Sequence, residues 1–133
     1  MAQQDYGIRR TIALGYDEAV EKTRAALQEQ GFGVLSEIDM REKLKEKLDV
    51  DYRRYVILGA CNPPLAYKAL QAEPEIGLLL PCNVIVYESE DGTSVVAAVD
   101  PNAMLSIVGA NPAVAEVARD AKQRLEKALA AIA

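Results

Sequence analysis

The sequence predicts an α+β fold: a single two-layer domain over residues 1–133, with a mixed or mainly antiparallel sheet of about five strands covered by helices and ending in a long C-terminal helix. Three observations lead there. Short runs rich in Val, Ile, Leu and Tyr alternate with segments of helical period along the whole chain. Asp91-Gly92 separates "NVIVYESE" from "TSVVAAV", the pattern of an antiparallel hairpin. From Asn111 onward, Val114, Val117, Ala118, Ala121, Leu125, Ala128, Leu129 and Ile132 hold one apolar face of a helix. A doubly wound parallel sheet is the alternative, but the first strand-to-helix turn lacks the glycine-rich signature of that fold.

The elements follow in order. "YGIRRTIAL" carries Tyr6, Ile8, Ile12 and Leu14 in imperfect alternation and predicts a first strand. A helix capped by Asp17 should follow, burying Val20, Thr23 and Leu27 and ending at Gly31, where a left-handed residue is needed. "GFGVLSEIDM" reads as a second strand, broken in phase between Val34 and Ile38. Asp39 and Glu42 stand at capping-box spacing before "MREKLKEKL", whose Met40, Leu44 and Leu48 form a narrow stripe. "RRYVILGAC" lacks polar alternation and predicts an interior strand. "NPPLAYKALQAEP" is a helix capped by Asn62 with Pro63 in its first turn. "IGLLLPCNVIVYESE" and "TSVVAAV" supply the remaining strands, with "GLLLP" expected to run extended. Asp100-Pro101 opens a short helix and Asn111-Pro112 the last one.

At 133 residues the chain is long enough to bury one core without a staple. Half of its residues are apolar and 26% are charged, a globular composition. A net charge of −5 with no basic run beyond Arg9-Arg10 and Arg53-Arg54 argues against nucleic acid, whose phosphates are met by clustered Lys and Arg. No apolar stretch approaches the ~20 residues of a spanning helix, and no signal-peptide core follows Met1, so no membrane partner and a cytoplasmic location are expected. The chain contains no histidine. That removes Ser-His-Asp and Cys-His catalysis and His-ligated metals, leaving Asp, Glu, Lys, Tyr and Cys for any proton transfer.

The two cysteines, Cys61 and Cys82, are each followed at once by an asparagine. Asn62 is explained as a helix cap. Asn83 is not, because a strand follows it and Asn is a poor strand residue. A helix from about Pro63 to Glu73 travels ~16 Å outward. An extended return at ~3.3 Å per residue then brings both cysteines to one end of the sheet, provided the flanking strands are antiparallel. There the amino terminus of the helix would favour a thiolate or a bound anion. The candidate binding or redox site is therefore Cys61, Asn62, Cys82 and Asn83. Two thiols under-fill a tetrahedral metal site, with Met104 as a conceivable soft third ligand.

The segments "YVILGACNPPLAYKAL" and "GLLLPCNVIVYE" resemble the bacterial and archaeal family catalogued as domain of unknown function 302, and the likeness runs from "YGIRRTI" to the last helix. The positions that fit the family pattern are Gly59, Cys61, Asn62, Pro63, Ala66, Leu70, Pro81, Cys82 and Asn83. The resemblance implies an α+β domain that forms homodimers, without an established activity. Three functions stay open. The first is a homodimeric binding or sensing module for a small anionic, sulfur-containing or soft-metal ligand. The second is a structural interaction subunit whose cysteines only pack. The third is a thiol enzyme of redox or sulfur transfer, ranked last because neither a histidine base nor a C-x-x-C spacing is present. The sequence names no cofactor and no metal.

Overall fold

The computed structural model describes residues 6–132, apart from the side chain of Met104, so the third soft ligand suggested above lies outside the described residues. The strands are β1 (Gly7–Ile12), β2 (Gly33–Asp39), β3 (Tyr55–Cys61), β4 (Cys82–Glu88) and β5 (Ser94–Val99). They form one sheet in the order β1-β5-β4-β3-β2, and every neighbouring pair is antiparallel. The helices are α1 (Tyr16–Glu29), α2 (Met40–Leu48), α3 (Pro63–Ala72), α4 (Pro101–Val108) and α5 (Pro112–Ala131). This is the α+β architecture that the sequence predicts, with an entirely antiparallel sheet.

Alternation along the strands sends Val56, Leu58 and Ala60 of β3, Val84 and Val86 of β4, and Val96 and Ala98 of β5 to one face. There they pack against Ala19, Ala26 and Leu27 of α1 and Leu125, Ala128 and Leu129 of α5. Leu27, Leu58, Val84, Val86, Val96 and Leu125 are fully buried, which makes this the main core. A second, smaller cluster joins Ala69 of α3, Ile76 and Val114 of α5, with Leu79, Leu80 and Leu105 packed around it. Helix α5 thus serves both clusters, its carboxyl half the first and its amino half the second.

The opposite face of the sheet carries Tyr55, Ile57, Ile85, Tyr87, Val95 and Ala97 in neighbouring register. Among the described helices α2 lies on it, where Met40 and Leu44 border a recess with Tyr52, Tyr55 and Ile57. Asp39 caps α2 as expected, accepting from Glu42 N at 2.9 Å, but Leu48 of the predicted stripe is 65% exposed.

Two local expectations are corrected. Helix α1 begins at Tyr16 behind Gly15, so Asp17 lies inside the first turn and its carboxylate pairs with Arg54 instead of capping. "GLLLP" is not extended either. Pro74–Leu79 winds into a 3-10 helix whose start is capped by Glu73, which accepts from Glu75 N at 3.1 Å. Winding sets Ile76 into the second cluster and leaves Leu78 83% exposed. The hairpin at Asp91-Gly92 is present, but its tip is a longer turn with Asp91 at φ 62° and Gly92 at φ 72°.

Candidate functional site

Strand β3 ends at Cys61 and β4 begins at Cys82, and because the two are antiparallel both cysteines stand at the same end of the sheet. Cys82 faces Ala60 in register and is 9% exposed, while Cys61 is half-buried, and both thiols are free. Cys61 stands one residue beyond the partner of Cys82 in the β3–β4 register, and no disulfide joins the two.

Cys61, Asn62 and Cys82 line one cavity of about 290 Å³ at the seam between the two apolar clusters. Its floor is Phe32, Ala60 and Cys82 at the sheet end. One wall is α3, through Leu65, Ala66, Ala69 and Leu70, and the other is Val117 and Ala121 of α5. Leu80 and Pro81 close the side toward the 3-10 helix, and Leu35, at the break in the β2 register, forms an exposed rim. None of the lining side chains carries a formal charge. Asn83 does not join them. It is exposed on the other sheet face opposite Gly59, bordering a separate recess with Tyr6, Leu78 and Ile107.

Asn62 is buried, and its amide is committed to the fold. Oδ1 accepts from Leu65 N at 3.3 Å, capping α3, while Nδ2 donates to the Gln30 carbonyl at the end of α1 at 3.4 Å. Arg124 Nη1 donates to the same carbonyl at 3.2 Å. The amino terminus of α3 is correspondingly silent. Pro63 and Pro64 have no N–H, Leu65 N is capped, and Ala66 N donates to the Asn62 carbonyl at 2.9 Å. The anion-binding amides expected from the sequence are not there, because two of the four donors are prolines and the other two are spent.

Burial pushes the Cys82 thiol up to about 11, and the neighbouring Cys61 adds to the effect. Cys82 is thus a neutral, lipophilic thiol at neutral pH, not a standing nucleophile. Among the described residues no three or more of His, Cys, Asp and Glu gather to hold a metal ion, so the two cysteines have no further such ligand beside them.

The family model for "Domain of unknown function DUF302" matches residues 8–132 of the chain. The chain belongs to the DUF302 family. Its fold is also that of an uncharacterized conserved DUF302 protein from Bacillus stearothermophilus, at a TM-score of 0.87 and 32% identity over 96% of this chain and 98% of that one. No curated protein matches. Membership of DUF302 thus supplies a fold and no reaction.

Six of the positions that carry the DUF302 resemblance, Cys61, Asn62, Ala66, Leu70, Pro81 and Cys82, line this single cavity. Gly59 supports it from behind. A Cβ there would collide with Ser36 Oγ and lie 2.9 Å from Pro81 Cγ, so only glycine lets β2 and Pro81 approach the strand. Sequence reasoning did not find Phe32, Leu65, Val117 or Ala121 as lining residues. Each reads as a core position in its own element, and only the seam between two clusters turns it toward a cavity.

Proposed function

We propose that this DUF302 protein is a small-molecule binding or sensing module whose site is the cavity holding Cys61, Asn62 and Cys82. The observation that carries the reading is convergence: residues from β3, α3 and β4, distant along the chain, meet with α5 around one recess. Binding sites of small proteins are commonly such largely apolar concavities with a few polar groups. Within it Cys82 offers a soft thiol surface and Cys61 a more accessible one, while Asn62 fixes the walls. A thiol enzyme is less well served, since no lining side chain is a base able to activate either sulfur.

The site is tested by native mass spectrometry of the gently purified protein together with a thermal-shift screen of small molecules. A stoichiometric adduct or stabilising compound should be lost in Ala66→Leu, which fills the cavity from a half-buried position on α3. A structural role alone predicts no adduct and no stabilising compound for either protein.

The module is proposed to work as a homodimer joined through the sheet face that α2 only partly covers. That face carries half-buried Ile57 and Ile85 in one row and half-buried Tyr55 and Tyr87 in the next, with Ala97 and Val95 buried beside them. Five strands spaced ~4.8 Å apart and about six residues long at ~3.3 Å make a face of roughly 24 by 20 Å.

A further inference from the structure

Resting on the binding reading above, we infer that the ligand of the cysteine cavity is an uncharged, predominantly apolar molecule, larger than benzene and smaller than a typical drug. This replaces the anion suggested by a cysteine beside a helix start.

Charge is excluded first. An anion in a low-dielectric recess needs donors or a cation, because burying it unpaired costs far more than contacts return. The α3 terminus offers none: its first two positions are Pro63 and Pro64, and the amides of Leu65 and Ala66 are occupied. The Asn62 amide group, the most polar side chain of the lining, uses Oδ1 on Leu65 N and one N–H of Nδ2 on the Gln30 carbonyl, and the single neutral N–H left over is too little to pair a buried anion. Arg124, which bonds the same carbonyl, is held by Asp120 at 2.8 Å and does not line the cavity. A cation fares no better, since no carboxylate lines the recess and Cys82 is held in its neutral thiol form.

Size is bounded by volume. A dry apolar cavity of roughly 150 Å³ accepts benzene, and pockets for drug-sized ligands begin near ~300 Å³. At about 290 Å³ the recess is larger than the benzene cavity and stands at the lower edge of drug-sized pockets. Phe32 and Val117 supply flat and branched apolar walls, and the thiols favour a polarisable atom such as sulfur or a halogen on the ligand.

The test is a methyl-resolved NMR titration of the full chain with two probe sets, toluene and thioanisole on one side and phosphate, sulfate and acetate on the other. Toluene and thioanisole should shift the methyl signals of Leu65, Leu70 and Val117 saturably, and Ala66→Leu should weaken the response at least tenfold. Should that variant misfold, Leu70→Phe fills the same recess from its exposed rim. The anions should leave these signals unmoved. If an anion shifts them saturably and the neutral probes do not, the ligand class is wrong while the site stands. If neither set moves them, or the neutral probes move only the methyls of Ile57 and Ile85 on the opposite face, both the site and its ligand class are overturned.

Discussion

Gly59 shows how a residue that touches no ligand shapes the site. A methyl group there meets Ser36 Oγ on one side and Pro81 Cγ at 2.9 Å on the other, so either β2 or the Pro81 wall must move. Gly59→Ala should cost about 1–3 kcal/mol, the usual penalty of overpacking, measured as a lower urea midpoint. It should also disturb Cys82, which adjoins Pro81 in sequence. Cys82 itself gives a pH prediction. Its thiol rises from an ordinary 9.0 to about 11 in the folded chain, so the folded state keeps a proton that the unfolded state gives up. That contribution is intact below pH 9 and is lost as pH climbs toward 11. The stability advantage of the natural chain over Cys82→Ala should therefore shrink across that window in urea titrations, whereas a flat difference would deny the shift. Such effects were not legible beforehand, because burial belongs to the assembled seam. The capping of Asn62 was legible, since an Asn before Pro at a helix start is a local signal.

At the level of elements, α3 is held at its start by one side chain acting in two directions. Asn62 caps the helix and reaches across to the end of α1. Asn62→Ala should destabilise by about 1–2 kcal/mol, as cap removal does. Asn62→Ser, which restores only the cap, should recover part of that loss. If Ser and Ala prove equally damaging in thermal unfolding, the cap is not what Asn62 supplies. The long α5 is readable because its period repeats over many residues, the hairpin because Asp91-Gly92 is a local turn signal, and the strands because their Val, Ile and Tyr runs are bounded by turn and cap residues. The 3-10 turn at Pro74–Leu79 was not, since "IGLLL" is apolar without a period and tertiary contacts of Ile76 decide its path. The α3 terminus departs from the sequence expectation for a different reason: Pro63 starts the helix, but together with Pro64 it also deletes two donors.

For the whole molecule, the antiparallel sheet separates two surfaces with different tasks. The helix-covered face closes the core and holds the cysteine cavity at one end, while the other face keeps Ile57, Ile85 and the stacked rings of Tyr55 and Tyr87, 5.4 Å apart, partly beneath α2. Light scattering after size exclusion should give a dimer for the natural chain and a monomer for Ile85→Lys, which buries a charge in the proposed interface. A natural chain that is monomeric at high micromolar concentration would remove that interface from the account. The cavity carries the central claim, and a crystal soaked in iodobenzene tests it most directly. The anomalous signal of iodine should appear as one dominant peak between Cys82, Phe32 and Val117, and it should vanish in Ala66→Leu. A cavity filled by ordered water, with iodine only on the outer sheet face, would contradict the account.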